Sequence, residues 1–403
     1  MKCVVVSHAC VARGFRQKIA ILAEDQDLDV TLVVPSYGCE ESRKVYLEDE
    51  GEEGYRIIRA RTLFTSHIFI MLYRDIARIL RKEQPDVVYV EEEPCSLAAA
   101  QIAHAHRKMN RSFKLIFFSW ENIAERWYRL PNPRALVYPR CERLVFSQAD
   151  AAIAGGQEAM QALRHRGYAG TVGIIPQFGV DTSAFARKDS SELRRQLDLE
   201  HFVIGYAGRL LIEKGLMTLL EAASRVAVPF NLLIVGRGPE RKPLVRRARK
   251  LGILPNIRFV DAVPHTMMPD YMNCMDVFVL PSRTTPEWKE QFGRVLIEAM
   301  ACEVPVIGSS SGEIPSVIGP AGMIFREGSA SELAARISDV SVSDRAGLGR
   351  AARKRVQENY TMRKIAERLR EFTLAVGNLP LPGGSLRDAG AAEQDYADVL
   401  SPR

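Results

Sequence analysis

The sequence predicts an α/β protein made of two doubly wound parallel sheets, and three observations carry that expectation. Short β-branched runs alternate with helical patterns from the first residue, a second such series begins near residue 202, and 403 residues exceed one ordinary domain of about 100–200.

In the first series, strands are expected at residues 3–6, 30–34, 87–90, 115–118 and 151–154, with a helical pattern at 16–23. In the second, strands are expected at 202–207, 231–235, 257–260, 277–280 and 304–307. Between them the turn-rich run Pro176-Gln177-Phe178-Gly179-Val180-Asp181 suits a linker, so the expected domains are 1–182 and 183–358. Ile365, Leu369 and Phe372 lie on one stripe of a helix expected at 359–376. Residues 377–403, with Pro380, Pro382 and Gly383-Gly384, lack apolar periodicity and read as a disordered tail. Open parallel sheets bind ligands outside the carboxyl ends of their strands, so two such halves facing each other predict a site in a cleft between them.

Composition narrows the class. With 47% hydrophobic and 26% charged residues the chain reads as globular, and a net charge of +6 suits small anions or an anionic membrane surface rather than nucleic acid. Seven scattered cysteines lack the spacing of a disulfide framework or metal knuckle, so reduced thiols are expected. The run after Met1 is too short for a signal peptide and no stretch reaches the roughly 18 apolar residues of a membrane span. A cytoplasmic protein with peripheral membrane contact at most is the expectation.

Three stretches carry chemistry. Gly208-Arg209-Leu210-Leu211-Ile212-Glu213-Lys214-Gly215 places two cations on a loop between a strand and a helix, where free amides and a partial positive charge favour phosphate. Solvated loop charges are the plain alternative. Val235-Gly236-Arg237-Gly238-Pro239-Glu240 puts glycines where backbone could approach a ligand, although a strand-to-helix turn needs glycine as well. Glu290-Gln291-Phe292-Gly293-Arg294-Val295-Leu296-Ile297-Glu298 offers a loop carboxylate for sugar hydroxyls, helix-start amides for phosphate and a helical carboxylate for ribose.

In this order and spacing the three stretches resemble the group-one family of retaining GT-B glycosyltransferases (family 4 type), whose signature pairs two glutamates with seven residues between them. The resemblance covers residues 1 to about 376 and is strongest over 203–325, with Glu298-Ala299-Met300-Ala301, Pro305-Val306-Ile307-Gly308 and Gly312-Glu313-Ile314-Pro315. It implies a GT-B fold and transfer of a sugar from a nucleotide diphosphate donor to a saccharide or lipid-linked hydroxyl acceptor, without cofactor or metal. It also implies that Arg209 and Lys214 contact the diphosphate, that Glu290 and the Phe292-Gly293 amides contact sugar and phosphate, and that Glu298 binds ribose. Gly208, Gly236, Arg237 and Gly238 join the donor side. Gly14 stands where the family often has a glycine pair, but alone.

The first half is less telling. Where many members carry a histidine after the strand at 115–118, this chain reads Ser119-Trp120-Glu121-Asn122. Trp120, Glu121, Asn122, His8 and Glu93 are acceptor-side candidates, against a packed tryptophan, a capping asparagine, a core histidine and a solvated acidic run. Residues 64–80, with Phe69, Leu72, Tyr73, Ile76 and Leu80 beside Arg74, Arg78 and Arg81, read either as a membrane-facing helix or as an ordinary helix of the fold. Asp25-Gln26-Asp27 has the spacing of a metal-binding pair but precedes a strand, so it reads as a turn. His104 and His106 are two apart on a helix and point in different directions, so they read as no metal site.

Overall fold

The computed structural model describes residues 1–40, 43–47, 54–124 and 134–379, in two compact units: residues 1–177 with the segment from Ile365 onward, and residues 178–364. Of the disordered tail expected at 377–403, Gly377 instead closes the last helix, and residues 380–403 lie outside the described residues.

Unit 1 has seven parallel strands: β1 (Lys2–Val6), β2 (Asp29–Pro35), β3 (Arg56–Ala60), β4 (Val87–Val90), β5 (Lys114–Ser119), β6 (Ala151–Ala154) and β7 (Thr171–Ile174). Their order is β7-β6-β5-β4-β1-β2-β3, so the winding reverses between β1 and β4. Central strands buried on both faces read as continuous apolar runs such as Val87-Val88-Tyr89-Val90. The charged edge strand β3, Arg56-Ile57-Ile58-Arg59-Ala60, has only Ala60 buried and does not.

Unit 2 repeats the plan with β8 (Phe202–Ala207), β9 (Phe230–Val235), β10 (Ile257–Val260), β11 (Val277–Leu280), β12 (Val306–Ser309) and β13 (Met323–Phe325), in the order β10-β9-β8-β11-β12-β13. Here the reversal falls between β8 and β11. Their ladder pairs only Ile204 with Val277 and Gly205 with Phe278, so the two strands part well before their carboxyl ends.

The structure divides the chain at 177/178, a few residues before the expected boundary, and again at 364/365. The amphipathic helix runs Met362–Gly377 and belongs to unit 1 for most of its length. Its stripe of Ile365, Leu369, Phe372 and Val376 packs into the same core as Val5, Leu32, Tyr89 and Phe118. A Cβ on Gly173 would fall 2.8 Å from the Phe372 ring, so that strand residue has no room for a side chain beneath the helix. Arg370, on the same helix, pairs with Asp25 and places Nη2 3.2 Å from Asp27. The Asp-x-Asp turn is therefore a salt-bridged anchor, and among the described residues no cluster suits a metal ion.

The 64–80 segment is divided: Met71, Tyr73, Ile76 and Leu80 are buried, Phe64, Ile68, Ile70, Arg74 and Arg78 are exposed, and its helix is only Ile76–Glu83. No described helix is long and apolar enough to cross a membrane. His106 is also internal, its Nε2 2.7 Å from the Phe113 carbonyl and its ring 4.6 Å from that of Phe113.

Candidate functional sites in the two units

The parting of β8 and β11 opens a cavity of about 380 Å³ in unit 2, within the range of small-molecule sites. Tyr206, Ala207 and Gly208 line it from the end of β8, and Leu280 from the end of β11. Arg209, Lys214, Glu290, Gly293, Arg294 and Glu298 also line it. Five residues selected from sequence as donor contacts thus meet around one cavity with Gly208.

The cations there are of two kinds. Lys214 Nζ stands 2.7 Å from Glu290 Oε2 and 4.7 Å from the Trp288 ring centre, and the Ser282 hydroxyl donates to the same carboxylate oxygen at 2.7 Å. The Arg209 side chain is exposed and makes no ion pair among the described residues, while its carbonyl accepts from Tyr206 Oη at 2.8 Å. Lys214 retains donors beyond the one given to Glu290, so both cations can serve an anion.

Gly293 adopts the left-handed conformation (φ 77°) as N-cap of the helix Arg294–Ala301, whose first amides have no intrahelical acceptor. Glu298, on the second turn, is 5% exposed. Its Oε1 lies 2.9 Å from His265 Nε2 and 2.9 Å from Arg294 Nε. Sequence reading missed His265, which sits 33 residues from Glu298 and bears no spacing signal.

The second glycine motif has a packing role. Gly236 has φ 141° and a Cβ there would fall 1.9 Å from the Gly208 carbonyl oxygen; one on Gly238 would fall 2.3 Å from that of Leu210. The loops after β8 and β9 lie backbone against backbone, with the Leu210 amide donating to Arg237 O at 2.9 Å. Gly236, Arg237 and Gly238 do not line the cavity. Phe292 is buried, its ring 5.8 Å from that of Tyr360.

In unit 1 the acceptor-side candidates follow the carboxyl ends of the adjacent strands β1, β4 and β5. His8 Nδ1 lies 2.6 Å from Glu92 Oε2, and the Tyr73 hydroxyl donates to Glu92 Oε1 at 3.0 Å. Burial alone would lower the His8 pKa, but the charge and hydrogen bond of Glu92, with Glu91 beyond, outweigh it and raise the value. Glu91 pairs with the buried Lys18. Glu93 accepts from the Ser119 hydroxyl at 2.8 Å and the Trp120 amide at 2.7 Å. Burial and the charge of Glu121 nevertheless push its carboxyl up to about 7.

Trp120 packs edge-on against Phe118, donates Nε1 to Gln177 at 2.9 Å and leaves Gly155 no room for a Cβ, which would fall 2.1 Å from the ring. Glu121 Oε1 accepts from the Ile123 amide at 3.0 Å, and Asn122 Nδ2 donates to Glu158 at 3.2 Å. The acidic run is therefore a buried network, not a solvated face. Gly14 is exposed in the 3₁₀ turn Arg13–Phe15, with open space where a Cβ would stand.

Two family profiles match: Glycosyl transferases group 1 over residues 189–359 and Glycosyltransferase Family 4 over residues 18–184. Among curated proteins, a GDP-mannose-dependent monoacylated alpha-(1-6)-phosphatidylinositol monomannoside mannosyltransferase of Corynebacterium glutamicum is 32% identical, over 47% of this chain and 53% of its own length. The D-inositol 3-phosphate glycosyltransferase of Geodermatophilus obscurus is 28% identical, over 65% of this chain and 61% of its own. The match thus spans about half to three-fifths of these relatives. Among solved structures, Anabaena HepE in complex with UDP superposes with a TM-score of 0.70 at 19% identity, covering 92% of this chain and 99% of that one. Sucrose-phosphate synthase of Thermosynechococcus elongatus gives 0.67 at 21%, covering 92% and 98%.

Two predictions follow from the geometry. Lys214→Ala leaves the nearly buried Glu290 carboxylate without its cation and is expected to destabilise unit 2 by about 3 kcal/mol. Adding Glu290→Gln should restore part of the loss, and Arg209→Ala should stay within about 0.5 kcal/mol of wild type. Denaturant titration decides, and equal losses for Lys214→Ala and Arg209→Ala would refute the pairing.

Because the folded pKa of Glu93 is raised, its contribution to stability is present below the unfolded carboxyl pKa near 4.5 and is lost as pH rises through about 7. Glu93→Gln should therefore raise the thermal midpoint by several degrees at pH 8 and leave it nearly unchanged at pH 4. A midpoint difference independent of pH would remove the buried-carboxyl account.

Proposed function

We infer, for a chain that belongs to the glycosyltransferases of group 1 and has their GT-B fold, that it moves a hexose from a nucleoside diphosphate donor to a hydroxyl acceptor with retention of anomeric configuration. The observation that carries this reading is the convergence of Arg209, Lys214, the Gly293-Arg294 helix start, Glu290 and Glu298 on the cavity between β8 and β11.

Chemistry follows from where charge develops. As the bond from the anomeric carbon to the phosphate oxygen lengthens, negative charge grows on the diphosphate, and the Arg209 guanidinium, the Lys214 ammonium and the helix amides are already oriented to receive it. No metal is required for that role. The acceptor hydroxyl attacks from the face the phosphate leaves; its oxygen bonds to the anomeric carbon, and its proton passes to the departing phosphate oxygen. Glu290, fixed by Lys214 and Ser282, accepts sugar hydroxyls, and Glu298 accepts ribose hydroxyls. His8, Glu93, Glu121 and Asn122, at the carboxyl edge of unit 1, are on this reading acceptor-side groups.

The acceptor class is read from the relatives: lipid-linked inositol mannosides and an inositol phosphate appear in their names, which favours glycolipid or polysaccharide synthesis. An apolar surface in unit 1 supports a lipid-linked acceptor at an anionic membrane on the inner, cytoplasmic side. Leu63, Phe64 and Leu136 are 43%, 60% and 62% exposed, and the Phe69 ring, 5.6 Å from Tyr138, joins their two segments. Arg74, Arg78 and Arg81 stand exposed on the neighbouring turn and helix.

A panel of UDP- and GDP-linked hexoses with radiolabelled sugar tests the reaction. Wild type should turn over at least one donor in excess chelator, with Arg209→Ala slower by roughly ten- to a thousandfold; loss of all turnover on chelation, restored by manganese, would refute the metal-free chemistry. Co-sedimentation with vesicles containing anionic phospholipid tests the surface. Wild type should pellet and Phe64→Ser should not, whereas equal pelleting would exclude this patch.

A further inference from the structure

Glu298 is bound asymmetrically. Both of its partners, His265 Nε2 and Arg294 Nε, approach the same oxygen, Oε1. Among the described residues Oε2 has no partner, and Glu298 lines the cavity. Although Glu298 is only 5% exposed as a residue, Oε2 is not sealed in the interior and is the carboxylate oxygen left open to the cavity. The acceptor capacity left over on Oε2 points to a ligand that brings hydroxyl donors.

The proton on His265 can be assigned from the same geometry. Arg294 Nη2 lies 3.1 Å from His265 Nε2, and one ring nitrogen cannot both donate to Glu298 and accept from Arg294. An ionised carboxylate is the stronger acceptor, so Nε2 carries hydrogen and donates to Oε1. Arg294, four residues before Glu298 on the same helix, adds an ion pair, its Nε 2.9 Å from Oε1 but not aligned for a hydrogen bond. The His265 ring is held in turn by Phe185, 5.1 Å away between centres, and the Arg294 guanidinium lies 6.0 Å from the centre of Phe178. Neither histidine nor arginine takes the vicinal-diol position; they lock the carboxylate that does.

We propose that His265 is a positioning residue for the nucleotide: with Arg294 it clamps one oxygen of Glu298 so that the other is presented to a cis-diol, making the cavity selective for ribonucleoside over 2′-deoxyribonucleoside diphosphates. This rests on the donor-site reading above and adds to it the residue that sets the orientation and the sugar of the nucleotide that it selects. The base is not part of the clamp, so the preference applies to whichever nucleoside diphosphate binds.

Calorimetry with UDP, GDP and ADP and their 2′-deoxy counterparts tests it. Wild type should bind one ribonucleotide roughly tenfold tighter than its 2′-deoxy form, as expected for one hydrogen bond to a charged group. His265→Phe keeps a ring against Phe185 but removes the donor, and should lose most of that ratio. His265→Gln restores an N–H near Oε1 and should recover it to within about threefold. In the transfer assay His265→Phe should raise donor KM with kcat nearly unchanged. A His265→Phe protein that keeps the ratio, or a His265→Gln protein no better than His265→Phe, overturns the clamp while leaving the donor site standing. Binding of none of the nucleotides by wild type would overturn the donor-site reading, and the clamp with it.

Discussion

The Lys214–Glu290 ion pair is the contact on which the geometry of the cavity depends. Lys214 comes from the loop after β8, and Glu290 from the segment between β11 and the helix Arg294–Ala301; the Ser282 hydroxyl, just after β11, closes the pair at 2.7 Å. The tie continues outward: the Ser309 hydroxyl donates to the Ser282 carbonyl at 2.6 Å, and the Glu313 amide to the Glu290 carbonyl at 3.0 Å. Three strand ends are thereby held in register around a space that their own ladder leaves open. The arrangement costs the desolvation of two charges, and its return is orientation rather than net stability.

Close backbone approach provides the second constraint. Gly208, Gly215 and Gly236 have φ of 147°, 70° and 141°, and at each a side chain would strike neighbouring main chain or a ring. Gly215 and Gly236 are packed equally tightly, a Cβ on either falling 1.9 Å from a carbonyl oxygen, of Pro281 and of Gly208. The loops that carry Arg209 and Lys214 are consequently rigid because their glycines let main chain touch main chain. This is preorganisation, and it lets charges face an incoming anion without moving first.

Much of this was legible in sequence. Strands buried on both faces write themselves as unbroken apolar runs, so the two central sheets and the order of their elements could be anticipated. The edges could not. β3 is partly exposed and carries two arginines, and β7, Thr171-Val172-Gly173-Ile174, has only its glycine buried. Charged residues at fixed spacing located Arg209, Lys214, Glu290 and Glu298, but spacing cannot say that Lys214 and Glu290 hold each other. It also cannot separate a glycine that admits a ligand from one that admits a neighbouring loop; at Gly236 and Gly238 the structure shows the neighbouring loop. His265 was invisible because its partner is remote in sequence, and the buried network around Glu91, Glu92 and Glu93 looked like a solvated run because burial depends on what the rest of the fold places over it.

The return of the last helix to the first sheet sets an order of assembly. Unit 2 is one continuous stretch, whereas unit 1 needs residues from both ends of the described chain. On a ribosome the sheet of unit 1 would emerge first but remain without Ile365, Leu369, Phe372 and Val376 until all of unit 2 had been synthesised. Contacts closed over so great a separation form late, since the intervening loop must be ordered before they repay it. The second half to be made is thus the first that can be finished, and the earlier half waits with an uncovered apolar face, the kind of surface on which chaperones act during synthesis.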